Sequence, residues 1–451
     1  MDTVSETTAR HLDARMAEEQ AERRLPSLVA ALVRDGRTVW HGAVGEVEGR
    51  SPTTDTQYRI GSITKTLVAV EVLRLRDEGL LGLNDPVAGE LPEAPAAHAT
   101  IAQLLSHTSG LRAETHGPWW ERTPGVDWPT LAASHRHDAA PLPHGRRHHY
   151  SNVGYAVLGQ LISQLRGRPW DEVIRHELLE PLGMNRTTTR PAPPAAPGLA
   201  VHPFADAVLP EPEHDAVAMG PAGQLWCSLT DLARWTAFLA GDTAGLLSDA
   251  TLEELGRPIA IDDRPGQPWT TAHGLGVQVH NFGGRRFIGH GGSMPGFLAA
   301  VRVDVRSGDG AVVMANTTAG LGPDLIIDLL DLLAKHEPRP APRWRAGEVE
   351  PSALELAGVW FWGPTPLLLR VRADELELGP MQGPGRASRF RPVEDGTWRG
   401  LDAYYAGERL TVVRRDDRTI DHLDLGSFVL TREPYDRASD VPGGVDPAGW
   451  R

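Results

Sequence analysis

Hydrophobic positions follow two patterns along this chain. As far as residue 335 stretches of period two and of period 3.6 are interspersed, and beyond it only short alternating runs remain. Residues 27–34 (SLVAALVR), the pair Asp35-Gly36 and residues 37–44 predict a β-hairpin, because Asp-Gly supplies the positive φ of a tight turn. From Ser62 to Glu78 the apolar positions Leu67, Val68, Val72, Leu73 and Leu75 keep helical spacing, with Gly79 as the stop. A second amphipathic helix is predicted from Tyr155 to Leu165, ending near Gly167. RPAPPAAPG (190–198) can only be loop. Residues 273–303 carry three apolar runs split by Gly-Gly pairs, the pattern of adjacent antiparallel strands. DLIIDLLDLLAK (324–335) reads as an amphipathic helix.

Then the composition shifts. Residues 336–350 form a proline-rich linker between a mixed domain, 1–335, and a second domain, 351–451. The second domain alternates short apolar runs such as LLLRVR (367–372), ELEL (375–378), RLTVV (409–413) and SFVL (427–430) with Gly and Asp turns. That is the pattern of a small all-β barrel or sandwich.

A length of 451 residues agrees with two domains. The net charge of -14, with no block of like charges, argues against a nucleic-acid partner, which needs a basic face to neutralise phosphates. Cys227 is the only cysteine, so neither an intrachain disulfide nor a thiolate metal cluster is expected. The first residues are charged throughout and have no apolar signal core, and no run approaches the ~18 apolar residues of a membrane span. A cytoplasmic enzyme without a membrane partner is the expectation.

Only two lysines occur, Lys65 and Lys335, against many arginines. A lysine that must lose its proton cannot be replaced by arginine, which stays charged. Lys65 stands three residues after Ser62 at the start of the predicted helix, where i and i+3 share a face. A serine is a weak nucleophile until a base takes its proton, and lysine is a base only when burial lowers its pKa from ~10.4. Tyr150-Ser151-Asn152 precedes the second helix. A tyrosine beside an ammonium tends to the phenolate and relays a proton, and an asparagine can hold both the lysine and a substrate amide. The same tripeptide also reads as a helix cap. His290-Gly291-Gly292, followed by Ser293, lies in a strand whose glycines would let a substrate backbone approach, or would make a tight bend.

In this order, Ser62-x-x-Lys65, Tyr150-x-Asn152 and His290-x-Gly292 resemble the three boxes of serine β-lactamases and penicillin-binding proteins, in their class C-like form. LLSHTSGL (104–111) and LLGLNDPV (80–87) are similar to the same family. The resemblance implies an α/β (α+β) transpeptidase fold, an antiparallel sheet with helices on both faces plus a helical subdomain. It also implies acylation of Ser62, proton transfer by Lys65 and Tyr150, and substrate orientation by Asn152, His290, Gly291 and Gly292. The backbone N–H groups of Ser62 and Ser293 would form an oxyanion hole, and no cofactor or metal is implied. His290 stands where β-lactamases and transpeptidases carry lysine, which favours the esterase, peptidase or thioesterase branches.

Gly358-x-Trp360 resembles the start of the lipocalin-like barrels appended to some of these hydrolases. The combination resembles the thioesterases of non-ribosomal peptide pathways. It implies a carrier-bound peptidyl thioester as substrate, a peptidyl carrier protein as partner, and release by head-to-tail macrocyclisation. The alternatives are a cytoplasmic esterase, D-aminopeptidase or D,D-carboxypeptidase-like hydrolase, and an inactive binding module of the same fold. His144, His148 and His149, with Arg146 and Arg147, predict an anion-facing or solvated loop rather than a metal site. His107 reads as a hydrogen-bonded structural residue, while Trp119 and Trp120 fit either a cleft wall or a cap on the core.

Overall fold

The structure, a computed structural model, describes residues 3–136, 140–341, 343–393 and 395–434. The chain divides into two compact units, 1–339 and 340–451.

The first unit is built on an eight-stranded antiparallel sheet. Its helix α1 (Glu6–Arg23) leads into β1 (Ser27–Arg34) and β2 (Arg37–Gly45), joined at Asp35 and Gly36 with φ of 52° and 73°, as the Asp-Gly pair predicts. Helix α2 (Thr64–Asp77), α3 (Asn152–Arg166) and α4 (Leu229–Leu239) follow. Then come β3 (Ala260–Ile261), β4 (Thr271–His273), β5 (Gln278–Phe282), β6 (Arg285–Met294), β7 (Phe297–Asp304) and β8 (Gly310–Ala315), and α5 (Leu325–His336) closes the unit. The spatial order is β2-β1-β8-β7-β6-β5-β4-β3.

Both faces of this sheet are covered, which explains why β1 is almost continuously apolar rather than alternating. Val29, Ala31 and Val33 enter the core shared with α2, α3 and α4, whereas Leu28, Ala30 and Leu32 enter the core under α1 and α5. Helix α3 is longer than its apolar period suggests. It begins at Asn152 because Ser151 caps it, accepting from the Gly154 N–H at 3.0 Å, and it ends at Gly167 with φ of 69°. Helix α1 has no counterpart among the sequence expectations. It is mostly polar and anchors by a few side chains, with Leu12 and Met16 fully buried.

The second unit is an eight-stranded antiparallel meander from Gly358–Trp362 to Phe428–Leu430. A bridge between Phe361 and Thr431 nearly closes it into a barrel. Trp360, Phe390, Leu410 and Leu423 fill its interior. No helix among the described residues is long and apolar enough to cross a membrane.

Candidate active site

The site forms where the start of α2 meets β6. A short ladder pairs Gln57–Arg59 with Trp226–Ser228, and the Ile60 N–H donates to the Leu225 carbonyl at 2.9 Å. The chain then turns through Gly61, at φ of 51°, into a single 3-10 turn that carries Ser62 into α2. Two glycines make this junction. A Cβ at Gly61 would stand 2.6 Å from the Ser293 nitrogen, and one at Gly292 would stand 1.9 Å from the Ile60 carbonyl oxygen. Neither contact is sterically allowed, so only bare backbone lets β6 lie against the turn. The Ser293 N–H is thereby set beside the Gly61–Ser62 backbone.

Lys65 is fully buried. Its Nζ donates to Ser62 Oγ at 2.9 Å and to the Ala222 carbonyl at 2.6 Å. Burial pulls its pKa down to about 7, against the opposing pull of Glu114 and Glu121. Near neutrality a large share of this amine is therefore free of charge and can accept the serine proton.

Tyr150 hydrogen-bonds to the Ser62 side chain, and its ring lies 5.0 Å from Lys65 Nζ. The expected phenolate is corrected here. Loss of hydration drives the phenol pKa well above its usual 10, Glu114 and Glu121 push it further, and the Ser62 hydrogen bond only partly opposes them. Tyr150 is thus held in its protonated form, with its hydroxyl against the Ser62 side chain.

The expectation that Asn152 holds the lysine is also corrected in detail. Its amide Nδ2 donates to Glu114 Oε1 at 2.8 Å, and the other Glu114 oxygen accepts from Trp120 Nε1 at 2.6 Å. Trp120 is buried and caps the core, whereas Trp119 is exposed with its Nε1 on Glu121 at 2.8 Å. Glu114 is a residue that sequence reasoning missed, because a lone carboxylate in a loop carries no pattern.

On β6, buried His290 keeps its Nδ1 2.5 Å from the Gly291 carbonyl, and the Gly291 N–H donates to Gln278 Oε1 at 3.0 Å. Around Tyr150 stands an unforeseen shell of imidazoles. The His107 ring stacks on Tyr150 at 4.2 Å, and His148 stacks on His273 at 4.4 Å. Burial lowers the pKa of all four histidines, His107, His148, His273 and His290, so they are neutral at pH 7. His107 Nδ1 accepts from the Ser151 N–H at 3.0 Å, which is the structural role expected of it.

The loop expected to face anions or solvent is divided in use. His144 and His149 tie it to the carbonyls of Ser109 and Leu111, at 2.5 and 2.7 Å. His148 turns inward to His273, and Arg146 and Arg147 remain exposed. Among the described residues, no group of three or more His, Cys, Asp or Glu side chains is arranged to hold a metal ion. A cavity of about 480 Å³ opens onto Ser62, Tyr150, His290 and Ser293.

Comparison with known proteins agrees with this geometry. The family model described as Beta-lactamase matches residues 10–335, and that of a domain of unknown function, DUF7586, matches residues 349–432. Penicillin-binding protein 4 of Amycolatopsis lactamdurans is 26% identical over 367 residues, covering 77% of this chain and 95% of that protein. The solved structure of SurE with D-Leu superposes with a TM-score of 0.60 at 25% identity, over 95% of this chain and all (100%) of that one. A D-stereospecific amidohydrolase from Streptomyces sp. also gives 0.60, at 26% identity, over 70% of this chain and 97% of that chain. With a serine, a buried lysine and a tyrosine gathered at the mouth of a helix-covered antiparallel sheet, and a family match over residues 10–335, this chain belongs to the β-lactamase and penicillin-binding-protein family of serine acyl-transfer enzymes.

Proposed function

We propose that the protein transfers the acyl group of a peptide or peptide-like donor through an ester on Ser62, and that the donor ends in a D-residue or glycine. The observation that carries this reading is the 2.9 Å contact between Ser62 Oγ and an amine whose pKa burial has brought to about 7. In this mechanism Lys65 takes the serine proton as Oγ attacks the carbonyl. Tyr150 then hands a proton to the leaving group, and the Ser62 and Ser293 N–H groups hold the oxyanion. Asn152, fixed by Glu114, and the His290–Gly292 strand orient the donor. A carboxyl-terminal D-residue is supported by relatives named for D-configured substrates or bound to D-Leu. The test is intact-protein mass spectrometry with paired peptidyl thioesters that differ only in the configuration of the last residue. An adduct on the wild type with the D-ended donor, absent from Ser62→Ala, is expected, and equal acylation by the L-ended donor removes the stereochemical part.

A second reading concerns the acceptor. In it a carrier-bound peptidyl thioester is released by attack of its own N-terminal amine, giving a macrocycle. The order of the two units supports it, since a catalytic domain followed by a small barrel resembles the thioesterases of non-ribosomal peptide pathways. Cyclic product differs from hydrolysed product by one water, and exclusive formation of linear acid from several such donors rejects it in favour of a hydrolase.

A further inference from the structure

The cavity that opens onto Ser62 also reaches across the sheet to a cation that this mechanism does not use. Arg302, on β7, lines the same wall together with Gln278, His280, Leu298 and Ala300. It is half-buried, and its one side-chain hydrogen bond runs from Nη1 to the carbonyl of its own neighbour, Val301, at 2.7 Å. Among the described residues no carboxylate pairs with it. Asp304, two positions along the same face of β7, is taken by Arg285, which holds it at 3.0 Å. On the same wall, His280 stacks flat on Phe282 at 5.7 Å and offers no negative charge. A guanidinium withdrawn from water is normally matched by an anion, because the lost hydration must be replaced. Here burial alone acts on Arg302, and it pulls the guanidinium pKa down from its ordinary value to about 10. Its planar fork, left largely unfilled, suits a carboxylate taken in two parallel hydrogen bonds.

We infer that Arg302 is a specificity residue that binds a carboxylate of the acyl donor, separated by an apolar spacer from the carbonyl attacked by Ser62. Leu298 and Ala300 supply the apolar wall along which that spacer would lie. This inference rests on the acyl-transfer reading of Ser62, and the shared chemistry is a carboxylate, carried by either the acyl part or the leaving group.

Two pairs of donors separate those sources. The p-nitrophenyl hemiester of glutaric acid against p-nitrophenyl butyrate places the charge on the acyl side. S-acetyl thioglycolate against its methyl ester places it on the leaving group. In one arm wild type should favour the acid in kcat/KM. That acid-to-neutral ratio should fall by about 10- to 100-fold in Arg302→Gln, the usual range for losing a charged hydrogen bond, and recover in part in Arg302→Lys. An unchanged ratio in Arg302→Gln in both arms overturns the inference. Binding is read separately in Ser62→Ala, which cannot turn over. Glutarate should raise its melting temperature, and the added Arg302→Gln should abolish the rise. If no donor acylates Ser62 but the glutarate shift is present and depends on Arg302, the acyl-transfer reading fails and the carboxylate site stands. If glutarate gives no shift that depends on Arg302, the site fails whatever the turnover.

Discussion

Lys65 Nζ is held between Ser62 Oγ at 2.9 Å and the Ala222 carbonyl at 2.6 Å, so one buried amine joins the Ser62 hydroxyl to the segment behind it. With its pKa at about 7, the amine is neutral above that value. The rate of Ser62 acylation should therefore climb as pH rises through about 7. Lys65→Arg, permanently charged, should lose the climb and about 10²–10⁴-fold of the rate. A flat profile for the wild type between pH 6 and 8 removes Lys65 as the base.

The same shift has a consequence for stability. Lys65 is depressed in the folded protein and ordinary, near 10.5, in the unfolded chain. Between about 7 and 10.5 the unfolded chain binds a proton that the folded one does not, so this group makes folding more favourable as pH rises through that window. Chemical denaturation of wild type and Lys65→Met should show the wild type gaining relative to the variant from pH 7 to 10. Parallel curves contradict the burial argument.

Glu114 raises the lysine pKa by its charge and also orients Asn152 and Trp120. Glu114→Gln keeps the size of the side chain and removes the charge. The acylation limb should then move to lower pH, because the ammonium loses a stabilising neighbour. A limb that stays in place while the rate drops would assign Glu114 to positioning alone.

Tyr150→Phe keeps the ring that stacks on His107 and removes the hydroxyl that meets Ser62. Its melting temperature should stay close to wild type, while turnover falls by about 10²–10⁴-fold. Turnover near wild type would take the tyrosine out of the proton path.

Gly292→Ala would place a methyl carbon 1.9 Å from the Ile60 carbonyl oxygen. Overpacking of this kind costs about 1–3 kcal/mol, and here the displaced element is the one that presents Ser293. Melting temperature and acylation rate should fall together. An active, equally stable variant would mean that β6 does not need bare backbone at this point.

Much of this site was readable because each box is contiguous in the chain. Ser62 and Lys65 meet across one turn at the start of α2, Tyr150 and Asn152 flank a cap, and His290 to Ser293 is one run of strand. The shell around them was not readable for the opposite reason. His107, His148 and His273 come from three segments whose meeting depends on how loops pack against the sheet. Arg302 was hidden by ordinary alternation, since an arginine on a half-buried strand looks like any outward-facing residue until the covering helix is in place. Helix α1 escaped because Leu12 and Met16 are isolated among charges, too few to set a period. The second unit alternates cleanly, as a barrel filled by one face of each strand must.

The contact of Gly61 and Gly292 with the backbone opposite them closes a very long loop, for Ile60 and Ser293 stand near opposite ends of the first unit's sequence. Contacts of such separation carry a large entropy of closure and tend to be made late in folding. Ser62 and the Ser293 N–H, the two ends of the proposed site, are thus brought together late in folding. During refolding, helices and hairpins should recover their circular dichroism first, and reactivity toward an acylating probe should return last, when β6 docks on the turn at Gly61.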